Sequence, residues 1–127
     1  MGLLAVAGGG ALGAVARWVA TGWVQNASGS LFPWGTLAVN VGGALVLGFA
    51  MVWLQNTVAS AEVRQLVTVG FLGSLTTFST YSYETVAMLR DGEVVRAGGY
   101  ALGSLLAGLL AVMVGAALAQ AFLAGRS

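Results

Sequence analysis

The residues best suited to chemistry in this sequence form a hydroxyl-rich stretch inside a long apolar block. It runs over residues 70–84 and reads GFLGSLTTFSTYSYE. Burying so many hydroxyls in hydrocarbon is costly unless each finds a partner or lines a wet path. Glycines followed by paired threonines also loosen a helix and free its carbonyls for other partners. The stretch therefore predicts a broken membrane helix whose backbone and side chains face an ion pathway.

The composition is that of an integral membrane protein. Of the 127 residues, 58% are hydrophobic and 7% are charged, and the mean hydropathy is +0.90. A soluble domain usually carries about 25% charged residues. At roughly 20 residues per crossing, the length predicts one all-α transmembrane domain of four helices, residues 1–127, and the hydroxyl-rich stretch places the break in the third helix. The four predicted spans cover residues 2–24, 34–55, 63–89 and 97–123.

Missing residue types exclude several classes of function. The sequence has no cysteine and no histidine, which excludes disulfides, thiolate chemistry and the usual zinc-ligand sets. A net charge of +1 provides no basic patch for nucleic acid. No nucleophile–base pair or phosphate-cradling loop is recognisable, so an enzyme is the least favoured class.

Two polar residues inside the first two spans have both a structural and a functional interpretation. Arg17 lies near the end of the first span. It is either a side chain that snorkels to the interface or a fixed positive charge that attracts anions into a vestibule. Asn40 lies about one-third of the way into the second span. It either hydrogen-bonds a neighbouring helix or offers an amide N–H to an ion that sheds its water, and the sequence alone leaves both alternatives open.

Aromatic and polar residues share helix faces in the last two spans. Phe78 and Tyr81 are three residues apart, so on a helix they point to one face. Such a pair usually serves packing, but the hydroxyl-bearing residues around it favour a role in the pathway. Tyr100, Ser104 and Gly108 follow one another at a spacing of four, which gives the last span a narrow stripe that is polar at one end.

The positive charges give almost no preference for one orientation in the membrane. With four spans, Arg64 and Arg126 lie on one side, whereas Arg90 and Arg96 lie on the other, with Arg17 near its edge. The positive-inside rule counts such residues close to the span ends. A chain this balanced can insert both ways, and two oppositely inserted copies can pair about an axis in the membrane plane. Because four short helices make a thin wall for an aqueous path, we expect an antiparallel, dual-topology homodimer.

Three segments resemble the signature sequences of the CrcB/Fluc fluoride channels. They are GGALGAVARW at residues 9–18, FPWGTLAVNVGG at residues 32–43 and GFLGSLTTFSTYSYE at residues 70–84. They fall in order in three of the four predicted spans, and Tyr100 and Ser104 in the fourth also fit. The resemblance implies a dual-topology homodimer in the bacterial cytoplasmic (inner) membrane. Its two fluoride pathways would export fluoride passively from the cytoplasm and relieve fluoride toxicity.

The resemblance also implies roles for individual residues. Phe78 takes the first position of the family's phenylalanine pair, whose ring edges face the anion. Such an edge carries partial positive charge. Tyr81 takes the second position, where many members have Phe. Asn40 matches the family's pore asparagine, and Arg17 matches its vestibule arginine.

Further donors and a cation site follow from the same resemblance. Tyr100 and Ser104 resemble a polar track on the last helix, and the hydroxyls of two more residues, Ser79 and Thr80, are expected along the fluoride pathway. A structural Na⁺ at the dimer interface is implied too, held by carbonyls that correspond to those of Gly73 and Thr76. Backbone oxygens suit a hard monovalent cation.

Two other functions stay open on the residues alone. A proton-coupled efflux carrier of the small four-helix type needs a titratable carboxylate at the membrane centre. Only Glu84 approaches that depth, and it is equally an interfacial residue near a helix end. A non-transporting membrane scaffold would use the hydroxyls to join helices, but this does not explain so dense a polar stretch.

Overall fold

A computed structural model describes residues 2–126, and every regular element in that range is helical, so the predicted all-α class is confirmed. The elements in chain order are α1 Gly2–Ser28, α2 Trp34–Gln55, α3 Ala61–Arg64, a π-helical segment Gln65–Leu72, α4 Gly73–Leu75, α5 Phe78–Arg90 and α6 Val94–Ala124.

Three of these helices, α1, α2 and α6, are long and apolar enough to cross a membrane. They contain 27, 22 and 31 residues, and at about 1.5 Å per residue each exceeds the ~30 Å hydrocarbon core of a bilayer. The bounds of α2 coincide with the second predicted span. By contrast, α1 continues to Ser28 through part of the expected loop, and α6 begins at Val94 rather than near residue 97.

The third predicted span is not one continuous helix. Residues 61–75 form its first half through α3, the π-helical segment and α4, and α5 forms its second half. Between them Thr76 (φ −87°, ψ 153°) and Thr77 (φ −146°, ψ 117°) are extended. Branching at the β-carbon favours this backbone conformation over the helix. The interruption lies inside the hydroxyl-rich stretch, as the break predicted from the sequence requires.

Glycines set the distance between α1 and the first half of the third span. A Cβ at Gly9 would overlap the Leu66 carbonyl oxygen, and one at Gly13 would overlap that of Phe71. Membrane helices commonly approach through small residues because van der Waals packing rather than the hydrophobic effect joins them. Close approach through glycine also joins α2 to α6, where a Cβ at Gly48 would overlap the backbone of Val112.

Buried apolar side chains form two clusters at different places along the helices. The first gathers Ala50 and Leu54 of α2 with Leu72 of the π-helical segment. The second gathers Met88 of α5 with Ala97 and Tyr100 of α6. The second cluster adjoins the polar residues described next and fixes α5 against α6.

Candidate ion pathway

The break in the third span is held by one side chain of α2. The Asn40 amide Nδ2 donates to the Thr77 carbonyl oxygen at 3.0 Å, and the Asn40 Oδ1 accepts from the Thr77 N–H at 2.8 Å. These two bonds satisfy the N–H and the carbonyl of Thr77, which make no helical hydrogen bonds at the break. Asn40 therefore joins two helices, the first alternative left open by the sequence. An amide nitrogen carries two hydrogens, so one N–H also remains for another acceptor.

The break frees two backbone carbonyls. In a continuous helix the Thr77 N–H would bond the Gly73 carbonyl, but it donates to Asn40 instead. The Thr80 N–H would bond the Thr76 carbonyl, but it donates to Thr77 Oγ1 at 3.2 Å. Within residues 2–126 no hydrogen bond ends on the carbonyl oxygen of Gly73 or Thr76. Both oxygens are available to a ligand that accepts electron pairs.

Arg17 of α1 contacts the first half of the third span at its end. Its Nε donates to the Ser74 carbonyl oxygen at 2.9 Å. The half-buried side chain also lines a cavity of about 330 Å³ together with Thr36, Thr77 and Thr80. Arg17 thus helps to terminate α4 and places a positive charge in the wall of a cavity beside the break. Such a charge raises the local concentration of anions.

A small hydroxyl network surrounds the first turn of α5. Thr77 Oγ1 lies 3.2 Å from Thr80 Oγ1, to which it donates, and 3.3 Å from Ser79 Oγ. Because Thr80 Oγ1 is the acceptor in that bond, its own hydrogen is free to face the cavity that the residue lines. Ser79 is exposed on the surface of the single chain.

Aromatic rings continue from the break toward α6 in a connected row. The ring centroids of Phe78 and Tyr81 are 5.7 Å apart, and those of Tyr81 and Tyr100 are 5.4 Å apart. Phe32 extends the row beyond Tyr100, which it meets at 5.4 Å and an interplanar angle of 89°. The environment changes sharply along the row, because Phe78 is 79% exposed whereas Tyr100 is 2% exposed.

Tyr81 uses its hydroxyl to bind α6. The Tyr81 hydroxyl donates to the Ala101 carbonyl oxygen at 2.6 Å. The oxygen atom that distinguishes this residue from Phe is therefore engaged by the protein backbone. What Tyr81 leaves for a ligand is its ring.

Glu84 lies between α2 and α6 and is hydrogen-bonded to both. Its Oε2 accepts from the Thr36 hydroxyl at 3.0 Å, and its Oε1 accepts from the Tyr100 hydroxyl at 2.9 Å. Thr36 and Tyr100 are both buried. The Tyr100 hydroxyl, expected on a polar track, is thus engaged by a carboxylate in a cluster that we call the Glu84 cluster: Thr36, Glu84 and Tyr100.

Sequence reasoning did not identify Thr36, although a signal was present. Thr36 precedes Asn40 by four residues, so both lie on one face of α2. Thr36 also lines the cavity next to Arg17 while it donates to Glu84. It therefore connects the surroundings of the break to the Glu84 cluster.

Ser104 lies one turn beyond Tyr100 on α6. Its Oγ is buried and has no hydrogen-bond partner in the described part of the chain. Buried hydroxyls are nearly always paired, so this unpaired donor is notable. The geometry thus brings together a cavity with a positive charge, a row of rings, a hydrogen-bonded carboxylate and free donors.

Comparison with known proteins decides the family. A family model described as "CrcB-like protein, Camphor Resistance (CrcB)" matches residues 4–116. The chain belongs to the CrcB family. With three helices apolar enough to cross a bilayer, this CrcB family member is a membrane protein.

Curated relatives are similar to this CrcB family member over most of their length. It is 45% identical over 122 residues to a protein of Hahella chejuensis, which covers 95% of this chain and 96% of the relative. It is 47% identical to a Geobacter sulfurreducens protein (89% and 92% covered) and 46% identical to a Thermus thermophilus protein (88% and 88% covered). All three relatives are named "Fluoride-specific ion channel FluC".

Proposed function

We propose that this protein is a fluoride-selective ion channel that lets fluoride leave the cytoplasm passively and so relieves fluoride toxicity. The observation that carries the proposal is the 45% identity, over 95% of the chain, to a relative named as a fluoride-specific ion channel. The names of the relatives indicate that the transported ion is fluoride, and the geometry supports a path for it. In this role the protein carries out transport and no chemical conversion.

Fluoride is a small anion that holds its water tightly, so a path must replace that water with donors at close range. The chain offers the second amide hydrogen of Asn40, the hydroxyl of Thr80 and the unpaired hydroxyl of Ser104. These donors are neutral, which suits conduction because an ion must bind well enough to enter and weakly enough to leave. Arg17 supplies an attractive positive charge from the cavity wall and is not one of these neutral donors.

The rings of Phe78 and Tyr81 complete this path. An aromatic ring carries partial positive charge at its edge, so its edge can face a dehydrated anion without forming a strong bond. The two rings lie directly after the break and 5.7 Å apart. We propose that fluoride passes their edges between the donors around Thr80 and those of α6.

A second copy of the chain is needed to close the path. Phe78 is 79% exposed and Ser79 is exposed in the single chain, so one side of the proposed pathway is open. The balanced arginines favour insertion in both orientations. We therefore propose an antiparallel, dual-topology homodimer in the cytoplasmic (inner) membrane of a bacterial cell, with two fluoride pathways. Reporters fused to the C-terminus should be found on both sides of the membrane, and detection on one side alone would refute dual topology.

The carbonyls freed by the break fit a structural Na⁺. The oxygens of Gly73 and Thr76 have lost their helical partners, and backbone oxygens are the ligands that a hard monovalent cation prefers. In the proposed dimer, these carbonyls from both copies would hold the ion at the interface. The cation would offset the repulsion between anions in neighbouring pathways.

Vesicles that contain the purified protein test the function directly. After loading with potassium fluoride or potassium chloride, release is followed with ion-selective electrodes once valinomycin is added to carry potassium. We expect rapid release of fluoride and none of chloride, with loss of fluoride release in Phe78→Ile. Release of both ions at similar rates, or of neither, would refute a fluoride-selective channel.

A proton-coupled carrier is the second candidate because Glu84 lies between α2 and α6, bonded to Thr36 and Tyr100. A carboxylate among packed helices is what proton coupling requires. The two mechanisms differ in their response to a pH gradient. A gradient alone would drive fluoride uphill through a carrier and would leave a channel at the equilibrium set by voltage and fluoride concentration.

A further inference from the structure

The side chain of Gln25, near the end of α1, uses its donors and its acceptor on the segment that follows. Its Nε2 donates to the Ser30 carbonyl at 2.8 Å and to the Phe32 carbonyl at 2.9 Å. Its Oε1 accepts from the Gly35 N–H at 3.0 Å. A single amide therefore binds the connecting segment at three points, which fixes residues 30–35 against α1.

The bond to Gly35 replaces a missing helix cap. The first N–H groups of a helix have no partner within it and are usually satisfied by a Ser, Thr, Asp or Asn side chain at the N-cap. The N-cap of α2 is Pro33, which makes no side-chain cap hydrogen bond. Gln25 supplies that acceptor from another helix. Gly35 packs so closely against α1 that a Cβ at this position would overlap the Thr21 carbonyl oxygen, so the position requires glycine.

The segment that Gln25 holds contacts the two donors of the Glu84 carboxylate. Thr36, which donates to Glu84 Oε2, directly follows Gly35 in the first turn of α2. The Phe32 ring packs edge-on against the buried ring of Tyr100, which donates to Glu84 Oε1. Displacement of residues 32–35 would therefore move both donors relative to the carboxylate.

We propose that Gln25 is a positioning residue of the channel, which keeps Thr36 and Tyr100 in register with Glu84. The inference rests on the proposed function for its effect on fluoride flux. The contact that it describes can be measured without flux. Gln25 also lines the cavity that contains Arg17 and a second cavity of about 360 Å³ that contains Glu84. Its loss would disturb the wall between the two.

The test compares Gln25→Met, which keeps the length of the side chain and removes its polar atoms, with Gln120→Met as the matched control. Gln120 is exposed on α6, away from the connecting segment. A third variant, Gln25→Glu, retains the acceptor for Gly35 and loses the two amide donors. Fluoride release from vesicles and hydrogen–deuterium exchange of peptides spanning residues 30–36 are measured for each protein.

We expect Gln25→Met, which removes three hydrogen bonds, to release fluoride roughly five- to tenfold more slowly, equivalent to about 1–1.4 kcal/mol. Exchange at Gly35 should be faster in this variant, and Gln120→Met should match the wild type in both measurements. Gln25→Glu should keep slower exchange at Gly35 than Gln25→Met, but it should not recover the flux, because a carboxylate oxygen then faces the Ser30 and Phe32 carbonyls. In a Tyr100→Phe background, Gln25→Met should slow release by a smaller factor than in the wild type, because one of the two donors that Gln25 positions is already absent.

Three results would overturn the proposal. They are unchanged flux in Gln25→Met, unchanged exchange at Gly35, and full additivity of Gln25→Met with Tyr100→Phe. A wild-type protein that releases no fluoride would refute the proposed function instead. The exchange measurement would then decide the positioning role alone, with faster exchange at Gly35 supporting it and unchanged exchange refuting it.

Discussion

Asn40 binds the backbone of Thr77 at both its carbonyl and its N–H, at 3.0 and 2.8 Å, across 37 positions of sequence. A strand pair satisfies an extended residue in the same way, but here one side chain takes the place of the neighbouring strand. The break in the third span therefore depends on α2. In the proposed pathway, fluoride passes beside the remaining amide hydrogen of Asn40.

Asn40→Asp should disrupt this arrangement. The substitution places a carboxylate oxygen where Nδ2 now donates, so the Thr77 carbonyl loses its donor and faces a negative charge. We expect a loss of about 1–3 kcal/mol in stability, the cost of a buried group left unpaired, and loss of fluoride release. Asn56→Asp is the matched control because Asn56 donates to the Val52 carbonyl on an exposed turn. Thermal melting in detergent and the vesicle assay would measure both effects, and wild-type values for Asn40→Asp would contradict the proposed role.

Tyr81→Phe should leave conduction nearly intact. The Tyr81 hydroxyl donates to the Ala101 carbonyl, so its removal costs about 0.5–1.5 kcal/mol of stability while the ring stays in place. Fluoride release should stay within about threefold of the wild type. Phe78→Ile, which removes a ring from the same row, should abolish release. A Tyr81→Phe protein that melts normally and no longer conducts would show that the hydroxyl serves the ion.

The sequence was sufficient to locate the break but not its partners. Paired threonines after glycines, inside an apolar block, placed the interruption within residues 70–84, and it lies at Thr76 and Thr77. Local residue types determine such a break because they decide which backbone conformation has the lowest free energy. The π-helical segment Gln65–Leu72 has an ordinary apolar composition. The sequence therefore gave no reason to expect it.

Contacts between helices escaped prediction because their members are far apart in the chain. The bond between Thr36 and Glu84 joins residues 48 positions apart, and that between Tyr100 and Glu84 joins α5 to α6. The sequence allows Glu84 at membrane depth or at the interface, and neither alternative names Thr36 or Tyr100 as its partner. The predicted spans end at residue 24 and resume at residue 34, which leaves Gln25 outside them, whereas it lies in α1 and its side chain hydrogen-bonds the segment that follows.

Glycine substitutions in α1 offer a test of the packing. Gly13→Ala would place a Cβ onto the Phe71 carbonyl oxygen, while Gly8→Ala would meet nothing within 4 Å. We expect Gly13→Ala to destabilise the protein by roughly 1–3 kcal/mol through overpacking. Gly8→Ala should be neutral or up to about 1 kcal/mol more stable, since alanine favours the helix. Melting of both variants in detergent measures the difference, and equal melting temperatures would contradict the contact between α1 and the third span.

Sodium removal should destabilise the protein if the carbonyls of Gly73 and Thr76 hold the ion as proposed. A ligand of the folded state present at a hundredfold excess over its Kd stabilises by about 2.7 kcal/mol. Purification in potassium at the same ionic strength should therefore lower the melting temperature, and restored sodium should raise it again. Equal melting in sodium and in potassium would refute a structural sodium site.

The proposed passive, fluoride-selective path is tested most directly by the reversal potential of the current in a planar bilayer. The two chambers would hold a tenfold fluoride gradient with symmetrical chloride and pH. For a channel permeable to fluoride alone, the current reverses at about 59 mV, the value for one charge and a tenfold gradient. An added pH difference should leave that value unchanged. Reversal near zero would show that fluoride is not selected, and a shift with pH would show that its movement is coupled to protons.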